Sequence, residues 1–441
     1  MKKNSLYIET YGCQMNEYDS DRIINALNAN TTTKPEEADL IIINTCAIRE
    51  KADQKALSSL GRYKHLKSKK PDLIIGISGC VAQLYGDKLL NKMPYLDFVL
   101  GPRAISKLPE IITDIKAKRS RPVETSFDIE ELFDVTPYHE EGKITAFVSV
   151  QQGCNKKCAY CIVPTVRGCE VNRPLEDIIR ESVYLLSKGV KEITLIGQTV
   201  NSWKFDGYKF ADLLRALGEL DTLERIRFTT SYPRDITKKM IEAMRDVEKV
   251  CHHLHLPVQS GSNKVLKLMN RTYTREWYLE SIAKLKDAVP DIALSSDIII
   301  GFPGETNEDF DETMTLMEEA EFESSFSFKY SPRPGTRGEE LYRSYKIEDS
   351  VASERLSILQ KYQKELTFAK NMQRVGKSEQ VLVEDQSKNN LDFLMGRTTH
   401  NRIVNFKGKK SLIGSLVDVR INEGLSNSLR GDVLNQTREV A

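Results

Sequence analysis

A chain of 441 residues with 40% hydrophobic and 29% charged residues has the composition of a soluble globular protein of two or three domains. It holds no run of about 18 apolar residues, which excludes a membrane-spanning helix. Its first residues, Met1-Lys2-Lys3-Asn4-Ser5-Leu6-Tyr7-Ile8, lack the apolar core of a secretory leader, so a cytoplasmic location is expected. A formal net charge of +1 excludes a global basic field, so any RNA contact must come from a local patch. Eight cysteines in a reducing compartment favour metal ligation over disulfides.

The first part of the chain repeats one unit three times. Leu6-Tyr7-Ile8-Glu9-Thr10-Tyr11-Gly12-Cys13, Asp39-Leu40-Ile41-Ile42-Ile43-Asn44-Thr45-Cys46 and Leu73-Ile74-Ile75-Gly76-Ile77-Ser78-Gly79-Cys80 each read as a strand ending at a cysteine. The second and third runs are continuously apolar, as parallel strands buried on both faces should be. Helical patterns lie between them, at about 16–30 and 48–68. A parallel α/β domain is expected over 1–118. In a parallel sheet three strand ends share one edge, and that edge is where such folds bind ligands. Cys13, Cys46 and Cys80 are therefore placed to converge on one inorganic group, unless they are only small buried residues.

Residues 119–143 read as a linker. Its stretch 124–141 carries seven acidic groups and no Lys or Arg, and a solvated connection is the simplest reading. From 144 to 371 strands and helices alternate. Strands are expected near 144–150, 192–197, 225–231, 253–258, 293–300 and 324–330. Helices are expected at 175–188, 209–220, 235–248, 275–288 and 306–320. Six βα units predict a partial, open TIM-type (β/α)6 barrel, with its chemistry at the C-terminal ends of the strands.

The first of those ends carries the most informative motif. Cys154, Cys158 and Cys161 are spaced C-x3-C-x2-C. Three thiolates on one short loop hold three corners of a cubane iron–sulfur cluster and leave the fourth iron open to a small molecule. A closed zinc site needs a fourth Cys or His, and the neighbouring residues offer no His. The other strand ends gather polar and glycine residues: Gln198 and Asn201, Gln259 and Ser260, Asp297, then Gly301 and Pro303. Each has two readings, a ligand contact or a local role. Gln198, Asn201, Gln259 and Ser260 could cap the next helix. Gly301 and Pro303 could form a turn before a helix capped by Thr306. Asp297 needs a partner if buried. His252, His253 and His255 are not at helical metal spacing and are read as structural; Cys169 and Cys251 are read as ordinary small residues.

Residues 372–441 turn to short β-rich runs at 380–384, 402–406 and 416–421, which predict a small antiparallel β-barrel. Eleven Lys and Arg stand there against eight Asp and Glu, a local +3. Arg397, Asn401, Arg402 and Lys407 are candidate RNA contacts, because small barrels of this kind bind single-stranded or looped RNA through a basic groove.

These motifs resemble one family over essentially the whole chain, the radical S-adenosylmethionine (SAM) methylthiotransferases. The cysteine loop, with Tyr160 between its last two cysteines, resembles the radical SAM signature. Thr10-Tyr11-Gly12-Cys13-Gln14-Met15-Asn16, Asn44-Thr45-Cys46-Ala47-Ile48-Arg49-Glu50-Lys51 and Leu394-Met395-Gly396-Arg397-Thr398-Thr399-His400-Asn401-Arg402 look most like the branch that acts on dimethylallyl-adenosine in tRNA. Cys169 departs from the family, which usually has a basic residue there. The resemblance implies an N-terminal methylthiotransferase domain, a radical SAM barrel and a C-terminal TRAM domain for RNA. It implies two [4Fe-4S] clusters, one on Cys154, Cys158 and Cys161 and an auxiliary one on Cys13, Cys46 and Cys80. The SAM site would then include Tyr160, Gln198, Asn201, Gln259, Ser260, Asp297, Gly301 and Pro303.

The reaction it implies is radical methylthiolation of C2 of N6-(dimethylallyl)adenosine at position 37, using two SAM. The clusters and SAM, not a side chain, would carry the catalysis. The expected partners are the tRNA anticodon stem-loop, an electron donor and a sulfur donor, and the chain is expected to be a monomer. The alternatives are the same chemistry on threonylcarbamoyl-adenosine of tRNA or on a ribosomal protein side chain.

Overall fold

The computed structural model describes residues 5–47, 50–118, 120–127, 133–387 and 390–434. Strands β1 (Ser5–Tyr11), β2 (Asn30–Thr31), β3 (Leu40–Thr45), β4 (Ile74–Gly79), β5 (Phe98–Leu100) and β6 (Val123–Glu124) form one parallel sheet in the order β2-β1-β3-β4-β5-β6. The three expected strands lie side by side at its centre, and β3 and β4 are buried along their whole length. Strands β2, β5 and β6 are additional; at two or three residues they are too short to show a period. Helices α1 (Gln14–Ala26), α2 (Glu50–Lys69), α3 (Cys80–Tyr85), α4 (Asp87–Lys92) and α5 (Leu108–Lys118) surround the sheet. The connection over 119–143 is bound down rather than simply solvated. It supplies β6, Tyr138 donates its N–H to the Asp21 carbonyl at 2.9 Å, and Arg22 donates Nε–H to the Val135 carbonyl at 3.0 Å. Asp128, Glu130 and Glu131 lie outside the described residues.

The central region runs β7 (Thr145–Ser149), β8 (Gln151–Gln152), α6 (Val163–Arg167), β9 (Val171–Asn172), α7 (Leu175–Ser187), β10 (Glu192–Ile196), β11 (Lys204–Phe205), β12 (Tyr208–Lys209), α8 (Phe210–Gly218), β13 (Arg225–Phe228), α9 (Lys238–Asp246), β14 (His253–His255), α10 (Asn263–Leu268), α11 (Arg275–Ala288), β15 (Ala293–Ile300), α12 (Asn307–Ala320), β16 (Ser324–Lys329), α13 (Arg337–Tyr345) and α14 (Asp349–Met372). Its six main strands make two parallel three-stranded sheets, β13-β10-β7 and β14-β15-β16, joined by a parallel bridge from Ile226 to Val250. This is the expected open half-barrel. Val148, Leu195, Ile226 and Phe228 point outward into one core with Leu213, Leu214, Tyr278 and Leu316 of the surrounding helices. The alternate residues Arg225 and Arg227 therefore face the lumen.

Helix α12 starts as its sequence predicts. Thr306 accepts the Asp309 N–H at 3.3 Å, and Asp309 accepts the Thr306 N–H at 2.8 Å, a reciprocal cap. Burial works against ionisation of Asp309. Hydrogen bonds from Lys264 at 2.7 Å, Ser262 at 2.6 Å and Thr306 outweigh it and hold the carboxyl down to about 2. A carboxyl lowered on folding stabilises the protein above its unfolded value, and that contribution disappears as pH falls through the folded value. Chemical denaturation between pH 5 and pH 2 should show the wild type losing on the order of 1 kcal/mol more than Asp309→Asn, allowing for the exposed Lys264. Parallel pH profiles would contradict this.

Strands β17 (Ser378–Gln386), β18 (Phe393–Thr398), β19 (Ile403–Lys407), β20 (Leu416–Gly424) and β21 (Leu429–Val433) close into a barrel. It departs from a purely antiparallel arrangement at one seam, where β19 and β21 run parallel. The turn between β18 and β19 docks under the half-barrel. Arg227 donates to the Thr399 carbonyl at 3.1 Å and the Thr398 carbonyl at 2.6 Å, and Arg225 to the Gln380 carbonyl at 3.0 Å. The turn thus plugs the N-terminal mouth of the barrel, opposite the cysteine loop.

Candidate functional site

The C-x3-C-x2-C loop is held by backbone bonds at every step. Cys154 donates its N–H to the Gly168 carbonyl at 3.1 Å, Ala159 to Met269 at 2.9 Å and Cys161 to Cys158 at 3.1 Å. Gly153 sits at φ +77°, and a Cβ there would collide with the Cys169 carbonyl. Burial, and then the neighbouring Cys158, pushes the Cys161 thiol up to about 12; burial also raises Cys154. Such thiols ionise when a cation takes the proton's place. Arg271 supplies local positive charge. Its Nη1 lies 3.3 Å from Cys158 Sγ and 3.3 Å from the Tyr160 hydroxyl, and Nη2 donates to the Pro257 carbonyl at 2.9 Å.

The second triplet comes together as the repeat predicts. Cys13 opens α1, Cys46 follows β3 and Cys80 opens α3. Cys46 and Cys80 are buried, while Cys13 remains accessible. Contact with the Cys46 thiol lowers Cys13 to about 6 against the effect of burial, with help from the Arg167 charge and the first N–H groups of α1. Gly12 makes this approach feasible: at φ +155° its missing Cβ leaves room for Cys46 Cβ and the Asn16 side chain. Asn16 and Asn44 then cross-link the strand ends, with Asn16 Nδ2 donating to Asn44 Oδ1 at 3.3 Å and to the Thr45 carbonyl at 3.0 Å.

One helix joins the two triplets. α6 begins two residues after Cys161 and ends at Arg167. Arg167 is buried, pairs with Asp19 of α1 at 2.7 Å and sets its charge beside the Cys80 thiol. Burial disfavours its charge, but Asp19, Cys80 and Cys13 outweigh that and raise it. Ile162 and Val166 pack in the same core as Cys80, Val81 and Ala82. Among the described residues neither triplet brings its three sulfurs within 4.8 Å of one another.

The strand ends above the loop carry polar atoms with no partner in the protein. These are Gln198 Oε1, Gln151 Nε2, both amide atoms of Gln152, and Ser231 Oγ. Buried polar groups need partners, and these atoms find none among the described residues. Gln198 is among the expected SAM contacts, and Gln151 and Gln152 stand directly before the loop. Other expected contacts have local roles. Asn201 gives both amide atoms to the Tyr232 backbone, at 2.9 and 2.7 Å. Ser260 faces Thr313 at 3.3 Å. Asp297 Oδ2 lies 3.5 Å from His255 Nε2. Gln259 is buried at φ +76° and bridges to Ile298. Gly301 donates its N–H to Glu305 at 3.1 Å, and Pro303 is buried beside it.

Three family profiles tile the chain: the Radical SAM superfamily over 148–317, the uncharacterized protein family UPF0004 over 5–101 and the TRAM domain over 373–434. The tRNA-2-methylthio-N(6)-dimethylallyladenosine synthase of Stutzerimonas stutzeri (strain A1501) is 46% identical over 98% of this chain and 99% of its own. The synthase of the same name from Syntrophus aciditrophicus (strain SB) is 48% identical over 98% of this chain and 95% of its own. The chain belongs to the tRNA-2-methylthio-N(6)-dimethylallyladenosine synthase family. Its fold is shared with the radical SAM methyltransferase TsrM of Kitasatospora setae, at TM-score 0.55 and 12% identity over 74% of this chain and 73% of that one. The cobalamin-dependent radical SAM enzyme OxsB gives TM-score 0.55 and 13% identity over 78% and 55%.

As a synthase-family radical SAM protein, the chain works with a [4Fe-4S] cluster and SAM. No helix of the described residues is long and apolar enough to cross a membrane. In the family's TRAM domain the four candidate RNA contacts fall into two groups. Arg397 pairs with Glu384 at 2.5 Å, and Arg402 pairs with Glu323 of the half-barrel at 2.6 Å and is largely buried. Asn401 is exposed at φ +66° in the docking turn. Lys407 is exposed at the other end of β19, followed by exposed Lys409 and Lys410.

Proposed function

We propose that this protein methylthiolates C2 of N6-(dimethylallyl)adenosine at position 37 of tRNA. In this reading Cys154, Cys158 and Cys161 hold the radical SAM cluster, and Cys13, Cys46 and Cys80 hold an auxiliary [4Fe-4S] cluster. The observation that carries it is the pairing of two three-cysteine sites through α6 and Arg167. Adenine C2 bears an unactivated C–H bond that no side-chain base can deprotonate, so the chemistry must come from cofactors. When bound, the clusters and SAM supply a carbon-centred radical and a sulfur source.

The chain's own residues orient and enclose. Arg271 sits against Cys158 and Tyr160 and fixes the loop. Gln151, Gln152, Gln198 and Ser231 offer hydrogen-bonding atoms to SAM or the base. The docked turn under β13 closes the far mouth of the lumen and excludes water from the radical. Arg167 holds the auxiliary site against the radical SAM loop. A base beside the anticodon can leave its stack to enter such a lumen.

Mass spectrometry of tRNA nucleosides after anaerobic turnover tests the reading. Appearance of 2-methylthio-dimethylallyl-adenosine is expected; methylthiolation only of threonylcarbamoyl-adenosine or of a ribosomal protein would overturn it. For RNA binding the reading assigns Lys407, Lys409 and Lys410 to phosphates. Their triple alanine variant should weaken tRNA binding regardless of sequence and lower the salt slope by about 0.7–0.9 for each lysine removed. An unchanged slope removes these lysines from the RNA face.

A further inference from the structure

We propose that His252, Asp291 and His400 form a binding site for a divalent first-row transition metal at the seam between the half-barrel and the C-terminal barrel. His252 immediately precedes β14 and Asp291 lies just before β15, both on the side opposite the cysteine loop. His400 comes from the docking turn between β18 and β19. The carboxylate stands between the two rings: Asp291 Oδ1 is 2.8 Å from His252 Nδ1, and Oδ2 is 2.9 Å from His400 Nε2. One ligand atom from each residue lies within 4.8 Å of the other two.

Two imidazoles and one carboxylate are a zinc-type donor set. Magnesium and calcium prefer all-oxygen shells, so they fit it poorly. The surroundings also suit a metal. His400 is 6% exposed, and its second nitrogen, Nδ1, faces Glu379 Oε2 at 3.9 Å. A ring bound through Nε2 carries its proton on Nδ1, with the Glu379 charge nearby but beyond hydrogen-bond range. Glu379 is itself held by Arg374. The nearby cation Arg402 is neutralised by Glu323 at 2.6 Å. On the other side the His252 N–H donates to Thr399 Oγ1 at 2.9 Å, which fixes the backbone of one ligand to the turn that carries another. Asp291 is 54% exposed, so water can complete the coordination. His253 and His255 do not take part; both face the Ser295 hydroxyl, at 3.1 and 3.0 Å. Two ligands come from one domain and the third from the other, so the ion would fasten the C-terminal barrel to the floor of the half-barrel.

The test uses full-length protein with its iron–sulfur clusters in place, titrated anaerobically with Zn2+. One zinc per chain is expected, with no loss of iron and a raised melting temperature. Zinc-edge absorption should show nitrogen and oxygen scatterers at about 2.0–2.1 Å and no sulfur at about 2.3 Å. His252→Ala and Asp291→Asn should keep wild-type iron content and weaken zinc binding by more than about 100-fold, beyond the effect of an outer-sphere change. Sulfur scatterers, displaced iron, or zinc retained by both variants would overturn the proposal. So would a wild type that binds no zinc at micromolar concentration.

Discussion

Cys158→Ala is expected to abolish 5′-deoxyadenosine formation from SAM and, on the two-cluster reading proposed above, to lower the iron content from about eight to about four per chain. Within the motif only Cys154 and Cys161 remain, two ligands where the cluster needs three. The fold should survive. Arg271, which contacts Cys158 at 3.3 Å, keeps its bonds to Tyr273 at 2.7 Å and to the Pro257 carbonyl at 2.9 Å. Ala159 keeps its backbone bonds to Met269 and Gly338. The lost activity would therefore reflect the missing ligand rather than unfolding, and a circular-dichroism melt within a few degrees of wild type would confirm it. Eight irons, or deoxyadenosine released at the wild-type rate, would remove Cys158 from the cluster.

The second expected result separates the two sites. Cys46→Ala should also halve the iron, yet leave measurable SAM cleavage while ending sulfur insertion altogether. Cys46 closes β3 and is 4% exposed. Its loss leaves Cys13 and Cys80, two ligands where a cubane with one open iron needs three. The radical SAM loop is coupled to these atoms through the segment after Cys161: Ile162 and Val166 pack in the core that holds Cys80, and Arg167 keeps its 2.7 Å pair with Asp19 in the variant. Some drop in cleavage is expected through that link. Equal, complete loss of both activities would mean the sites do not divide the work.

Much of this arrangement is written locally in the chain. The runs Leu40–Thr45 and Ile74–Gly79 are unbroken apolar segments, and each leads to a cysteine at the same point of a repeated unit, so the converging triplet is legible from the residues alone. The six barrel strands and their helices follow from the same alternation. What could not be read has no local period. Strands β2, β5 and β6 are only two or three residues long. Arg167 acts on Asp19, far away in the sequence, and Arg271 acts on Cys158 across the barrel. The tail misleads for a related reason. Arg402 alternates with apolar residues like a surface cation, but it meets Glu323 only once the two barrels dock. His252 likewise gains His400 as a neighbour only through that docking.

The turn held by Arg227 has one more consequence. It makes the chamber a cul-de-sac. Among the described residues, reactants and products are left the other end, on the side of the cysteine loop. Larger side chains in that turn would act at the closed end, so they should leave traffic past the cysteine loop unchanged.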